Sequence, residues 1–410
     1  MTIQSGAMGS IPTFSLAERD RRWTRVRDVM GRAGLDAIIG LPNSSHWDQF
    51  QADVRYLTQI GGNCTEAAVV FPVEGEVTAV LRSETDIAWW SLQQDWVSDL
   101  RPSRRAFGLP IGERLHELGL TRGRIGVSGL EGMVRAPEGV VPWTLLERLR
   151  QQLPEATFVN ATVAMQQART VKSPEEVEFV RKASALAEAA VDRMLELARP
   201  GVPERRIYGA MIESMISGGG EMPTMILWGA GRRPPWPHRM LTDRSLQQGD
   251  IVNNEVEARW AGYIGQVVAP FSLGPVDPTS KRVFDASVRI FEDLRSFMRP
   301  GVRFVDIHRR YVSQVQAAGF EPGAALMHGR GLGDDFPLMW GHRPVEDESL
   351  ALEEGMVFIL KPAAFPQGGA DTLVEDGEVV ELALRAGDTV VVTAEGAQRL
   401  GKRPLELLEL

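Results

Sequence analysis

The chain has 410 residues, 43% of them apolar and 24% charged, a composition typical of a globular protein with two domains. Its net charge of −9, without a long basic segment, argues against a nucleic-acid partner. Its single cysteine, Cys64, excludes an internal disulfide, and no apolar run is long enough to span a membrane.

The first part of the chain alternates helical and strand patterns. Residues 1–13 are rich in glycine and hydroxyl residues and lack a signal-peptide pattern, so we expect a mobile N-terminus and a cytoplasmic protein. The later patterns predict a helix at Ser15–Ala33, a strand at Leu35–Leu41, a hairpin of Ala67–Phe71 and Val77–Leu81, a strand at Arg124–Ser128, a helix at Trp143–Gln152 and a strand at Thr157–Val159. Residues 14–160 are therefore predicted to form an α/β domain.

The rest of the chain, residues 161–410, contains one pattern twice. Ser173-Pro174-Glu175-Glu176 predicts a capped helix start, and that helix ends at Arg199-Pro200-Gly201-Val202. Asp277-Pro278 opens a second helix, which ends at Arg299-Pro300-Gly301-Val302. Each tetrapeptide precedes another helical pattern, at Glu204–Ile216 and Val305–Ala318. This repetition predicts two copies of a helix-helix-strand unit.

Strand patterns follow in both copies. They cover Asp250–Arg259 and Tyr263–Phe271 in the first copy, and Met356–Lys361 and Thr389–Thr393 in the second. We predict that these segments form a curved, mostly antiparallel sheet with helices outside it. The side chains at the centre of such a sheet would face one cavity.

An ordered set of motifs carries a family resemblance. The set comprises the duplication, a Pro-His before Thr-Asp-Arg, Gly249-Asp250, Gly262-Tyr263, His328-Gly329 and Gly355-Met356-Val357. It resembles the pita-bread family, which includes creatinase, prolidase and aminopeptidase P. The first domain, with its Asp53–Thr58 segment, is similar to the N-terminal domain of the creatinase and prolidase branch. The resemblance implies an α/β domain, an α+β pita-bread domain and a homodimer.

In the peptidases of this family, two aspartates, one histidine and two glutamates hold two metal ions. We place Glu255, Gln266, His328, Lys361 and Ala394 at the corresponding positions. Only the histidine is unchanged. Because a protonated lysine repels a cation, we expect no metal and no other cofactor.

The resemblance to creatinase implies chemistry without a metal. It places His238 as the general acid and base, a role that suits a group whose pKa lies near neutrality. Creatinase keeps a carboxylate where Lys361 stands and another near Val268. Without those acceptors, creatine is not the expected substrate.

Charged residues in the same cavity need partners. We expect Glu255 and Lys361 to form an ion pair, and Glu255 to orient or activate water. His328, Lys361 and Arg330 are candidates for binding an anionic group of the substrate. Glu257 and Gln266 complete the predicted substrate site, although Glu257 shares a face with Glu255 only if the strand is regular.

We therefore expect a metal-independent hydrolase that cleaves a carbon–nitrogen bond in a small, polar, anionic molecule. Three alternatives remain open at this point. One is a lyase built from the same residues, the second a metal-dependent Xaa-Pro dipeptidase or aminopeptidase, and the third a binding protein without catalytic activity.

Overall fold

The computed structural model describes residues 9–42, 51–62, 65–232, 241–323, 325–343, 345–366, 373–375, 378–380 and 384–410. The chain forms two compact units, Met1–Thr170 with Leu332–Phe336 and Val171–Gly331 with Pro337–Leu410. Each unit has its own sheet and apolar core. None of the helices in these ranges is both long and apolar enough to cross a bilayer.

The first unit is an α/β fold with a six-stranded mixed sheet. Its strands are β1 (Ala37–Gly40), β2 (Ala67–Pro72), β3 (Thr78–Leu81), β4 (Asp99–Pro102), β5 (Arg124–Ser128) and β6 (Thr157–Asn160). Its helices are α1 (Leu16–Ala33), α2 (Ala52–Thr58), α3 (Glu84–Gln93), α4 (Gly108–Glu117), α5 (Trp143–Gln152) and α6 (Thr162–Thr170). The strand order is β4-β3-β2-β1-β5-β6, with β2 antiparallel to both of its neighbours. The predicted hairpin and α/β class are confirmed.

The second unit has the pita-bread architecture predicted from the sequence. Its helices are α7 (Pro174–Leu197), α8 (Glu204–Ser217), α9 (Pro278–Phe297) and α10 (Phe304–Ala317). Its strands are β7 (Ile226–Gly231), β8 (Ile251–Trp260), β9 (Tyr263–Val268), β10 (Phe271–Ser272), β11 (Glu321–Gly323), β12 (Ala325–Arg330), β13 (Asp334–Trp340), β14 (Val357–Leu360), β15 (Ala363–Phe365), β16 (Leu373–Glu375), β17 (Glu378–Val380), β18 (Gly387–Thr393), β19 (Gly396–Arg399) and β20 (Leu408–Glu409).

The large sheet of this unit has the order β13-β12-β14-β18-β9-β8-β10-β20. Strand β7 pairs with β8, and β19 pairs with β18. The central pairs are antiparallel, as predicted. This order brings the strands of the two sequence copies side by side, because β18 of the second copy adjoins β9 of the first.

The predicted strand Tyr263–Phe271 is interrupted in the structure. Strand β9 ends at Val268, and a separate strand begins at Phe271. The Asn254 side chain donates to Ala269 O (2.7 Å) and accepts from Ala269 N (3.1 Å), so it satisfies the backbone there. The next residue, Pro270, has no N–H to donate. These two features account for the break.

Helix α7 packs closely on β9. Ser173 and Glu176 form the predicted capping box at the start of the helix. A Cβ atom on Gly265 would lie 2.1 Å from Ser184 N, so only glycine permits this approach of helix and strand. The contact fixes the position of β9, which carries Gln266.

Backbone hydrogen bonds confirm the duplication. Gly201 N–H donates to Leu246 O, and Gly301 N–H donates to Leu352 O, each at 2.8 Å. Both glycines have φ 86°, in the left-handed region that favours glycine. The two Arg-Pro-Gly-Val turns are therefore the same structural element.

A second pair of glycines marks equivalent strand starts. Gly249 and Gly355 both have φ 86°, and they precede β8 and β14 respectively. Counting six residues from each glycine leads to Glu255 in the first copy and to Lys361 in the second. These two oppositely charged residues therefore occupy equivalent positions in the two copies.

Candidate active site

The candidate site lies within the second unit, on adjacent strands of the large sheet. Strands β8 and β9 are antiparallel, with Glu257 opposite Gln266. Glu255, Glu257 and Gln266 are all buried, at 2%, 0% and 0% exposure. Strand β8 is regular across this region, so Glu255 and Glu257 lie on the same face.

Glu255 is the centre of a network of hydrogen bonds. Its Oε2 accepts from Lys361 Nζ at 2.5 Å and from Gln266 Nε2 at 2.7 Å. Its Oε1 accepts from Arg385 Nη2 at 2.5 Å. The predicted ion pair of Glu255 and Lys361 is confirmed, and Arg385 is a second cation on the same carboxylate.

Arg330 connects a second carboxylate to this network. Its Nη2 donates to Glu257 Oε1 and to Gln266 Oε1. The Gln266 amide therefore accepts from Arg330 and donates to Glu255, which fixes its orientation. Glu257 is a buried ion-pair partner of Arg330.

His328 lies on β12, two residues before Arg330. Both side chains are fully buried. Since β12 pairs regularly with β14, with His328 opposite Ile359, His328 and Arg330 lie on the same face of the strand. The His328 Nδ1 atom is 3.4 Å from Gly329 O, a long distance for a hydrogen bond. The structure thus places His328 on the strand face that carries the network.

Burial and charge act against each other in this network. Burial alone would raise the pKa of Glu255, but the charges of Lys361 and Arg385 outweigh it and hold that pKa well below its usual range. Burial lowers the pKa of Lys361; Glu255 opposes this effect, while Arg385 and Arg330 add to it. Glu255 is therefore ionised at neutral pH, and Lys361 is easier to deprotonate than an exposed lysine.

Sequence reasoning missed Arg385, and it placed one residue on the wrong part of a strand. Ala394 lies in the turn between β18 and β19, outside the network. Gly387, at the start of β18, is the residue beside Lys361, since a Cβ atom there would lie 2.9 Å from Lys361 Cβ. A signal was present, because Arg385 stands between apolar Leu384 and Ala386, just before Gly387.

Some residues singled out in the sequence lie outside the described ranges. These are Cys64 and the proposed acid and base His238. The structure therefore leaves the role of His238 as an expectation from the family resemblance.

The network residues do not make a suitable metal-binding set. Within the described ranges, no group of three or more histidine, cysteine, aspartate or glutamate side chains could hold a metal ion. The Glu255 carboxylate is already bound by two cations, and Gln266 contributes a neutral amide. A metal ion here would have to displace Lys361 against charge repulsion.

The α/β unit followed by a pita-bread unit with a buried charged site defines the class of protein. Comparison with known sequences identifies the family. Residues 178–394 match metallopeptidase family M24, and residues 22–171 match the creatinase/prolidase N-terminal domain. Since the first match spans more than half of the 410 residues, the chain belongs to metallopeptidase family M24.

Individual relatives agree with this assignment. A creatinase from Bacillus sp. (strain B-0618) is 23% identical over 409 residues, covering 98% of this chain and 95% of the relative. An ectoine hydrolase from Halomonas elongata is 25% identical over 273 residues, covering 63% of this chain and 65% of the relative. The structure of a Xaa-Pro dipeptidase from Bacillus anthracis has a TM-score of 0.76 and 18% identity, covering 96% of this chain and 100% of that one. These relatives are hydrolases, and the structural match shows a shared fold.

Proposed function

We propose that the protein is a metal-independent hydrolase that cleaves a carbon–nitrogen bond in a small anionic molecule. The observation that supports this most is the pairing of the Glu255 carboxylate with both Lys361 and Arg385. Protein cations and a metal ion would compete for the same carboxylate. Family membership supports the reaction class. The relatives include a creatinase and an ectoine hydrolase as well as Xaa-Pro dipeptidases, so the choice of a small substrate over a peptide depends on the charges of the site.

The proposed reaction uses one proton carrier. His238 takes a proton from water while the water oxygen bonds to the substrate carbon. The same proton then passes to the leaving nitrogen as the carbon–nitrogen bond breaks, so His238 ends the cycle neutral. Glu255 orients the water, because its negative charge is retained at neutral pH. His328, Lys361 and Arg330 contribute to substrate binding, and Glu257 and Gln266 hold Arg330 in place.

The metal content of the purified protein tests the first part of this proposal. We expect substoichiometric manganese, cobalt and zinc by mass spectrometry, and turnover that is unchanged by a chelator. An M24 prolidase purified in parallel is the positive control. Stoichiometric metal, with activity that disappears on chelation and returns with metal, would establish the metal-dependent peptidase instead.

Substitution of His238 tests the second part. The substrates to screen are small carboxylates that contain an amide, lactam or guanidino nitrogen. On any that is turned over, His238→Ala should reduce kcat by about 10²–10⁴-fold, the usual contribution of a general acid and base. His116→Ala is the matched control, because His116 is exposed on α4 of the first unit. Full activity of the His238 variant would exclude it from the mechanism.

A lyase reaction is a second candidate, and the lowered pKa of Lys361 favours it. A neutral amine at this position could remove a proton from a carbon atom of the substrate. Product analysis in ¹⁸O-labelled water separates the two reactions. Hydrolysis incorporates one labelled oxygen atom, whereas elimination gives an unlabelled, unsaturated product. If binding is detected but no screened substrate is turned over, the binding-protein hypothesis is favoured.

A further inference from the structure

Lys361 is a buried ammonium group with unused hydrogen-bond donors. The residue is 3% exposed. In the described part of the chain, its only hydrogen-bond partner is Glu255 Oε2, at 2.5 Å. An ammonium group has three N–H donors, so two of them have no acceptor among the described residues, although the group is buried. Buried donors in this condition cost free energy, and they indicate a missing partner.

The surrounding charges indicate that the missing partner is an anion. Glu255 acts on Lys361 as an anion, whereas Arg385 and Arg330, the latter paired with Glu257, act on it as cations. Water could accept the two N–H groups but would not offset the repulsion between Lys361 and these two arginines. A carboxylate group does both, because its two oxygen atoms accept hydrogen bonds and carry a full negative charge.

The first part of the Lys361 side chain is closely packed. Gly387 lies so close that a Cβ atom on it would be 2.9 Å from Lys361 Cβ and 2.7 Å from Val268 Cγ2. This contact limits movement at the Cβ end of the side chain. The bond to Glu255 Oε2 positions the ammonium group at the other end.

We propose that the two remaining N–H donors of Lys361 bind a single carboxylate group, and that this contact determines the specificity of the site for small carboxylic acids. Lys361 would then hold the substrate next to Glu255. The assignment of this ligand as the substrate depends on the proposed function. The binding of a carboxylate by Lys361 does not.

Nuclear magnetic resonance of labelled lysine side chains tests this inference directly. The chain has only five lysines, so ¹³Cε and ¹⁵Nζ signals can be resolved individually. Sodium acetate is the probe, and acetamide is its neutral counterpart. We expect a charged Lys361 ammonium at pH 7 whose signals shift saturably with millimolar acetate and remain unchanged with acetamide.

Two substitutions complete the experiment. Lys361→Met assigns the signal through its loss, and Lys361→Arg serves the same purpose if the methionine variant does not fold. Lys402→Met is the matched control, because Lys402 is exposed, and its loss should leave the acetate response unchanged. A neutral Lys361 amine at pH 7, the absence of a saturable shift or an equal response to acetamide would each overturn the inference.

The outcome is separable from that of the proposed function. An acetate response without turnover of any substrate would support the carboxylate site and count against the hydrolase. Turnover of a substrate without any effect of acetate on the Lys361 signals would support the hydrolase and count against the carboxylate site.

Discussion

Substitution of Glu255 by glutamine tests whether the buried network depends on one negative charge. The change removes the carboxylate that Lys361 and Arg385 share, and it leaves two cations close together in the interior. Removing one partner from a buried ion pair costs about 3–5 kcal/mol, and we expect a value in this range at pH 7. Lys361→Met should cost less, about 1–3 kcal/mol, because Glu255 keeps Arg385 and Gln266 as partners.

The cost of Glu255→Gln should also depend on pH. Without the carboxylate, the pKa of Lys361 falls further, because Glu255 is the group that raises it. The unfolded chain then binds more protons than the folded one at pH values between the lowered pKa of folded Lys361 and the ordinary lysine pKa. Stability therefore rises with pH, by up to about 1.4 kcal/mol per unit. We expect the variant to recover about 1 kcal/mol relative to wild type between pH 7 and pH 9.

Pulse proteolysis in urea can measure the free energy of unfolding of the second structural unit by itself. Peptides from residues 251–268 report unfolding of the second unit and avoid mixing it with the first. Glu292→Gln is the control, since the Glu292–Arg295 pair is surface-exposed and should contribute less than about 1 kcal/mol. A cost for Glu255→Gln as small as that of the control, or equal costs at both pH values, would refute the reasoning.

Three further substitutions test the packing and charge of the same sheet. Gly387→Ala places a Cβ atom 2.9 Å from Lys361 Cβ. The substitution should therefore lower the free energy of unfolding in urea by about 1–3 kcal/mol and weaken the acetate response. Unchanged stability and an unchanged acetate response would contradict the close contact. Gly265→Ala, whose Cβ would lie 2.1 Å from Ser184 N, should cost about 3 kcal/mol or more, and a near-neutral result in the same assay would show that α7 can move away. Burial raises the pKa of Asp388 to about 6 despite the opposing charge of a nearby arginine, so the folded protein takes up a proton below that pH. Wild type should gain about 1.2 kcal/mol over Asp388→Asn between pH 6.5 and pH 5.0, and parallel pH profiles would exclude this titration.

Local sequence signals predicted the elements of the fold well. The capping box at Ser173 and the two Arg-Pro-Gly-Val turns depend on neighbouring residues, so their patterns were sufficient. The break after Val268 was not predicted, because it depends on Asn254 reaching across from the adjacent strand. Sequence periodicity contains no information about such side-chain contacts between strands.

The candidate site was predicted in part for the same reason. Glu255 and Lys361 could be paired because motifs on both strands fixed their positions. Arg385 contacts Glu255 across 130 positions in the chain, and no local motif marks that distance. The misplacement of Ala394 has a related cause, since the predicted strand Thr389–Thr393 included the end of β18 but not its start at Gly387.

The equivalent positions of Glu255 and Lys361 have a consequence for how the second unit folds. Each copy of the repeat contributes one sign of charge to the same buried pair. A fragment containing a single copy would have to bury an uncompensated ion or leave its central strand exposed to water. We therefore expect neither half to be stable when expressed alone, and the two halves to restore a folded unit only when they are mixed. The two copies of the repeat would in this way depend on each other for their stability.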